Sequence, residues 1–237
     1  KVIVIGAGPA GAACAERLRT RGVDVLVLDK QTFPRQKLCA GWITPKVFKL
    51  LNTNAAQYPH GILTLNRLIC YFKGKKVTIK THQYSIRRYE FDNWLLKRSK
   101  AEKETHHVRK ITQEDGRFII DDTYRAEYMV GAGGTQCPVY RTFFHLSGIR
   151  SEAVRISAIE EEFPYAYKDK QCYLWFFDNN LPGYAWYVPK ENGYLNIGIG
   201  GKHDSLKALG SNITEYWRQF TRKLLNQGLV VPRSFNG

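Results

Sequence analysis

The sequence predicts an α/β fold in two interleaved parts, and three observations predict it. The chain opens on an apolar run, Val2 to Ile5, followed by Gly6, Gly8 and Gly11 and then by an alanine-rich segment, which is the order strand, tight turn, helix. A second apolar run, Val25 to Leu28, ends on Asp29 and completes a β-α-β unit of the Rossmann-like kind. Far downstream, "ISAIEEEF", "CYLWFFD", "YAWYVPK" and "YLNIGIGG" follow one another with turn residues between them, the pattern of successive strands of an antiparallel sheet.

Each element has a local reason. Gly6 permits the tight turn, Gly8 lets the backbone approach a pyrophosphate, and Gly11 lets the helix lie close on the strand. Pro9 follows Gly8 in that motif, Ala10, Ala12, Ala13 and Ala15 keep the helix slim, and Gly22 ends it. The unpaired amides and dipole of the helix start would face phosphate, with Asp29, followed by Lys30, placed to accept hydrogen bonds from ribose hydroxyls. The motif therefore predicts a bound dinucleotide, and by itself it does not separate FAD from NAD.

Further along, "FPRQKLCAGWITPKV" is a loop bracketed by Pro34 and Pro45, in which Cys39, Ala40 and Gly41 permit close backbone approach to a ligand. "RLICYFKGKKVTIKT" reads as a hairpin turning near Lys73 to Lys76. "RRYEFDNWLLKRSK" places Phe91, Trp94 and Leu95 on one side of a helix, with Arg88 ahead of its first turn. "YMVGAGGTQCPVYR" is a strand running into a second glycine turn, Gly131 to Gly134. In "SNITEYWRQFTRKLLNQG", Ile213, Trp217, Phe220, Leu224 and Leu225 share a helix face, with Ser211 or Asn212 as the cap and Gly228 as the stop.

Composition excludes several classes. With 43% hydrophobic and 13% aromatic residues the 237-residue chain can bury a real core, which argues against disorder. No apolar run reaches the length of a membrane helix; with an opening segment that reads as a strand no signal peptide is expected, and Lys1 in place of Met leads to the expectation of a start inside a reading frame. The net charge of +15 favours anionic partners, yet the cations lie in several patches without a nucleic-acid motif. The expectation is no nucleic-acid partner, and a charge compatible with peripheral contact with an anionic membrane. Cys14, Cys39, Cys70, Cys137 and Cys172 are odd in number and dispersed, which points to a reducing, cytoplasmic compartment and against a disulfide framework or a zinc site. The six histidines, His106 and His107 included, read as surface residues, so no metal site is expected.

Taken in order, these landmarks resemble the geranylgeranyl reductase family of FAD-dependent oxidoreductases, which share the para-hydroxybenzoate hydroxylase fold. Gly6 to Gly11 is similar to the first FAD motif, and Pro34 to Gly41 to the family's Pro, Lys, Cys and Gly loop beside the flavin. Arg88, with Phe91 and Asp92, resembles the helix start that approaches FAD; Gly131, Ala132 and Gly133 open a segment similar to the second FAD motif, which runs to Arg141. Tyr184, Trp186 and Pro189 match the Y-x-W-x-x-P strand that lines the substrate cavity. The resemblance implies FAD as cofactor, an apolar isoprenoid-like substrate whose carbon-carbon double bonds are reduced, and an external electron donor, NAD(P)H or a reduced carrier. The wider family includes monooxygenases and halogenases acting on aromatic compounds, which stands as the alternative chemistry. No catalytic residue is assigned, because the cofactor carries the hydride.

The sequence departs from the family pattern twice. Gly133 stands where the family carries Asp, which predicts a weaker cofactor contact there. The third FAD motif, Gly-Asp-Ala-Ala-Gly, does not occur before the loop-like "PRSFNG" at the end, so the chain is expected to be truncated, and a non-catalytic flavin-binding fragment is a third reading. The implied organisation is an FAD-binding domain over 1–58 and 84–145 and a substrate domain over 59–83 and 146–237. On the strand from Tyr184, alternation puts Tyr184, Trp186 and Val188 on one face and Ala185 and Tyr187 on the other. Pattern alone favours a core strand, whereas the resemblance turns the first face into a pocket wall. Cys39 reads either as a small buried hydrophobe or, by the resemblance, as a neighbour of the flavin ring.

Overall fold

The computed structural model describes residues 1–146, 155–167 and 170–230; the predicted loop-like terminus, 232–237, lies outside them. In chain order the elements begin with β1 (Val2–Ile5), α1 (Pro9–Arg19), β2 (Val25–Asp29), β3 (Trp42–Ile43) and α2 (Pro45–Leu50). They continue with β4 (Leu63–Phe72), β5 (Lys75–Ser85), α3 (Arg88–Arg98), β6 (Glu102–Thr105), β7 (Ile111–Glu114), β8 (Arg117–Ile120), β9 (Tyr124–Ala126), β10 (Tyr128–Gly131) and α4 (Pro138–Phe143). The last are β11 (Ile156–Pro164), β12 (Cys172–Phe176), β13 (Gly183–Lys190), β14 (Tyr194–Lys202), α5 (His203–Ala208) and α6 (Ile213–Asn226).

The chain divides into two compact units, 1–37 with 88–153 and 38–87 with 154–237. The first holds a parallel sheet in the order β10-β1-β2-β6, with Val2 opposite Val25 on one side and Tyr128 on the other. Every residue of β1 is buried, as expected of a central parallel strand covered on both faces. Ile3, Ile5, Leu26 and Leu28 share a core with Val108, Ile111, Ile120 and Val139. Within this unit lies a three-stranded antiparallel meander, β7-β8-β9, that the sequence pattern does not announce. Arg88 is the first residue of α3 rather than a residue ahead of its first turn, and Phe91, Asp92, Leu95 and Leu96 form its buried side.

The second unit is built on a seven-stranded sheet, β11-β14-β13-β12-β4-β5-β3. The predicted hairpin is β4-β5, turning on Lys73 (φ 47°) and Gly74 (φ 84°), the left-handed pair that a two-residue hairpin turn requires. The sheet is not wholly antiparallel: β12 runs parallel to β4, with Cys172 opposite Leu68. A hairpin would force the two to be antiparallel; here most of the chain joining them belongs to the other unit, which frees the direction of return. Residues 38–58, expected with the first domain, belong to the second unit because Trp42 and Ile43 pair with Ser85 and Tyr84 at the sheet edge.

Asn212 caps α6, its side-chain oxygen accepting the Glu215 amide at 3.0 Å. Trp217, Phe220 and Leu224 then pack on Ala185, Tyr187, Leu195, Ile197 and Ile199. The opposite sheet face carries a separate cluster, Leu65, Leu68, Cys70, Cys172, Leu174, Trp186 and Val188. The strand from Gly183 to Lys190 is therefore core on both sides, with Tyr184, near its start, the exposed residue of the Trp186/Val188 side.

Candidate functional site

In the first unit the three glycines do different work. Gly6 has φ +108°, and a Cβ on it would strike the Ala132 carbonyl, so the first glycine admits the backbone of the second glycine turn. A Cβ on Gly11 would strike the Gly6 carbonyl, so the third glycine lets α1 sit on the end of β1. Gly8 is open: the nearest group to a Cβ there is Arg35 Nη2 at 3.5 Å. Pro9 occupies the first helical position, where it leaves no amide unsatisfied, and Ala10 is exposed beside it.

Asp29 accepts the Ala7 amide on Oδ2 at 2.7 Å and the Gln31 amide on Oδ1 at 2.9 Å, which fixes the carboxylate at the end of β2. Asp29, Lys30, Gly6, Gly133, His107 and Arg141 are among the residues around a cavity of about 320 Å³. A second cavity, about 480 Å³, lies against Ala10, Gly131, Ala132 and Tyr140. The structure thus brings together Gly6, Gly8, Pro9, Ala10, Gly11, Asp29, Lys30, Gly131, Ala132 and Gly133 at one end of the parallel sheet.

Two features of this end escape sequence reading. Asp92, fully buried, receives Arg88 Nε at 2.7 Å and Nη2 at 2.9 Å, and Arg35 Nη2 lies 3.3 Å from it. Arg35 is thereby held beside Gly8, and its buried Nη1 has no hydrogen-bond partner among the described residues. An open glycine beside an orphaned guanidinium nitrogen fits the diphosphate of a dinucleotide. His106, expected at the surface, also lines the first cavity; its Nε2 lies 2.7 Å from Asp121 Oδ2. Burial works against the charged form of Asp121, but the Lys110 amide, His106 and the Arg109 amide hold its carboxyl below the usual range.

In the second unit, Cys39, Ala40 and Gly41 form a loop held by two residues that the sequence pattern does not single out. Glu160 Oε1 accepts the Cys39 amide at 2.7 Å, and Lys190 Nζ donates to the Ala40 carbonyl. Burial pushes Glu160 up from its ordinary value and pushes Lys190 down to about 8. Of the expected substrate residues, Trp186 is 6% exposed, with its Nε1 donating to Asn196 Oδ1 at 2.7 Å, while Tyr184 is 43% exposed. Pro189 is buried and its carbonyl accepts the Ser85 hydroxyl at 2.8 Å. Aromatic rings continue from Trp186 to Tyr184 (5.7 Å), Phe176 (5.5 Å) and Phe72 (4.7 Å), a row across three neighbouring strands. Gly198 makes the row possible, since a Cβ there would collide with the Trp186 ring.

Comparison with known proteins bears on this arrangement. Residues 4–58 match the NAD(P)-binding Rossmann-like domain. The chain is 32% identical to an uncharacterized protein of Methanosarcina barkeri, over 97% of this chain and 59% of that protein. It is 28% identical to digeranylgeranylglycerophospholipid reductase 1 of Methanopyrus kandleri, over 84% of this chain and 57% of the reductase. The chain thus spans less than two thirds of the length of these relatives. Among solved structures, a geranylgeranyl bacteriochlorophyll reductase-like protein of Thermoplasma acidophilum superposes with a TM-score of 0.74 at 18% identity, over 94% of this chain and 61% of that one. A flavin-dependent halogenase does so at 0.70 and 18%, over 95% and 46%. The fold is therefore that of flavin-dependent enzymes, and the resemblance carried by the motifs is borne out in sequence: the chain is similar to digeranylgeranylglycerophospholipid reductases over more than four fifths of its own length.

Proposed function

We propose that this chain belongs to an FAD-dependent oxidoreductase that reduces carbon-carbon double bonds of an apolar, isoprenoid-like substrate. The observation that carries the substrate side is the row Trp186, Tyr184, Phe176 and Phe72, apolar rings exposed in part on a face that α6 does not cover. Gly6, Gly8, Gly11 and Asp29, with Arg35, would hold the dinucleotide part of the cofactor, and Gly131, Ala132 and Gly133 the adjoining segment. Arg88, Cys39, Ala40 and Gly41 as cofactor contacts, and Tyr184, Trp186 and Pro189 as substrate contacts, are part of the same proposal, supported by their match to the family motifs. Bound FAD would supply the hydride chemistry. Each bond reduced consumes two electrons and two protons, so an external donor, NAD(P)H or a reduced carrier, has to supply electrons every turnover. The aromatic row offers apolar surface along which a flexible chain would lie.

Peripheral contact with an anionic lipid surface is the partner reading that the charge pattern favours. Between Asp29 and Glu90 the sequence has no acidic residue, and Lys73, Lys75, Lys76 and Lys80 on the β4-β5 hairpin are exposed beside exposed Val77 and Ile79. Among the described residues no helix is long and apolar enough to cross a membrane. Sedimentation with vesicles checks this: binding to phosphatidylglycerol-containing vesicles that falls with salt is expected, and equal binding to neutral vesicles would sink it.

The activity test is an anaerobic incubation of the FAD-loaded protein, chemically reduced, with a geranylgeranyl lipid. The expected product is heavier by one dihydrogen per reduced bond. Turnover only with oxygen, giving a hydroxylated or halogenated aromatic product, would establish the monooxygenase or halogenase alternative. Stoichiometric flavin with no turnover in either assay would establish a flavin-binding portion without its own activity.

A further inference from the structure

The loop Cys39–Gly41 is held residue by residue from strands far away in sequence. Cys39 gives its amide to Glu160 on β11 at 2.7 Å. Ala40 gives its carbonyl to Lys190, which ends β13 at 0% exposure and also donates to the Ile86 carbonyl at 2.9 Å. Gly41 accepts the Ile86 amide at 2.9 Å, and with φ +65° it has no room for a side chain, because a Cβ would meet the Ile86 carbonyl and come within 2.7 Å of Lys190 Nζ. Three consecutive residues are thus clamped, two of them by side chains that carry formal charge.

Neutral side chains could make the same hydrogen bonds at lower desolvation cost, so a buried ammonium and a half-buried carboxylate on one short loop need a reason. Charge-assisted hydrogen bonds are shorter and stronger, and they fix direction better than neutral ones. We propose that Glu160 and Lys190 are positioning residues that hold the Cys39–Gly41 backbone in one conformation for ligand contact. The clamp follows from the geometry; its consequence for the cofactor rests on the FAD reading above. Asn196, which accepts from the Trp186 indole, lies within hydrogen-bonding reach of Glu160, so the carboxylate also joins the loop to the aromatic row.

The test uses the whole 237-residue chain and measures iodoacetamide alkylation at Cys39 by peptide mass spectrometry, with half-buried Cys14 as reference and buried Cys172 as a monitor of the intact sheet. Glu160→Gln keeps an acceptor for the Cys39 amide but gives up the charge, and should raise the rate by about threefold, less than loss of the acceptor does. Glu160→Leu removes it and should raise the Cys39 rate about tenfold with Cys14 and Cys172 unchanged, as expected of a local opening. Lys190→Met should act in the same direction; if it does not fold, Glu160→Leu decides alone. Rates within twofold of the parent in folded Glu160→Leu would overturn the proposal. The visible band of added FAD separates the two layers. Faster alkylation with a shifted flavin band supports the clamp and its cofactor role, whereas faster alkylation with an unmoved band keeps the clamp and removes that role.

Discussion

The Gly6–Gly11 turn and the Cys39–Gly41 loop are both backbone segments fixed in one conformation, and they are fixed by opposite means. The first is built from missing side chains: Gly6 and Gly11 let backbone pack against backbone, and Asp29 closes the turn through the Ala7 amide only 22 residues away. The second is built from added side chains, a carboxylate and an ammonium reaching in from positions 121 and 150 residues away. The difference teaches where each is vulnerable. A glycine turn fails when a methyl group is added, and a clamped loop fails when a polar group is removed.

The largest effect is therefore expected at Gly11. Gly11→Ala places a methyl on the Gly6 carbonyl, backbone against backbone, which neither side can relieve without shifting β1 or α1. A loss of about 3 kcal/mol or more is expected, read as a lowered urea midpoint, together with loss of dinucleotide binding. A midpoint within experimental error of the parent would show that the turn is looser than its geometry.

Next comes Lys190→Met, which leaves the Ala40 and Ile86 carbonyls without their donor and should cost about 2–4 kcal/mol. The pH dependence sharpens this. Lys190 titrates near 8 in the folded chain, below the ordinary 10.5, so above pH 8 the unfolded chain binds the extra proton. Stability from this group thus rises with pH from about 8 to 10.5, and the neutral amine still has two hydrogens for the two carbonyls. The wild type should gain on Lys190→Met by up to about 1.4 kcal/mol per pH unit in that window. The buried thiol Cys172, pushed up to about 12 from 9.0, opposes this above about pH 9, and because Lys190 acts on that thiol the comparison is cleanest between pH 8 and 9. Parallel pH profiles would mean that Lys190 titrates normally.

A smaller effect is expected at Trp186→Phe, which keeps an aromatic ring in the row but leaves Asn196 Oδ1 without the indole donor now 2.7 Å away. The cost should be about 1 kcal/mol, seen as a modest fall in melting midpoint, and a larger loss would mean that the indole packing over Gly198 matters more than its hydrogen bond.

The same contrast explains what was legible in the sequence. The β-α-β opening, the β4-β5 hairpin and the capped helix α6 follow from local rules, glycine spacing, apolar alternation and an Asn cap, so their residues name themselves. The parallel pairing of β12 with β4 and the transfer of residues 38–58 to the second unit depend on a chain excursion whose return no local pattern encodes. Arg35, Glu160 and Lys190, and the burial of Asp92, were illegible for a related reason. Charged residues usually mark solvent, and only the folded chain shows that these four are paired in its interior. A hint was present at Lys190, a lysine that ends an otherwise apolar strand directly after Pro189.

The smallest effect on folding, and the sharpest test of the comparison, is Gly8→Ala. Its Cβ would meet only the end of the Arg35 side chain, at an ordinary 3.5 Å, and Gly8 has no positive φ to forbid a side chain. Stability should therefore stay within about 0.5 kcal/mol of the parent, in contrast to Gly11→Ala. If the space above Gly8 is kept open for a diphosphate, the added methyl stands where phosphate oxygens approach the helix amides, and FAD affinity should fall by about tenfold or more in a fluorescence titration. Unchanged affinity with unchanged stability would mean that the opening at Gly8 is not where the phosphates lie. Arg35→Met then separates the remaining possibilities, because it leaves the glycine turn intact and removes the orphaned Nη1: a matching loss of affinity would show that the anion is bound by this guanidinium rather than by the helix start.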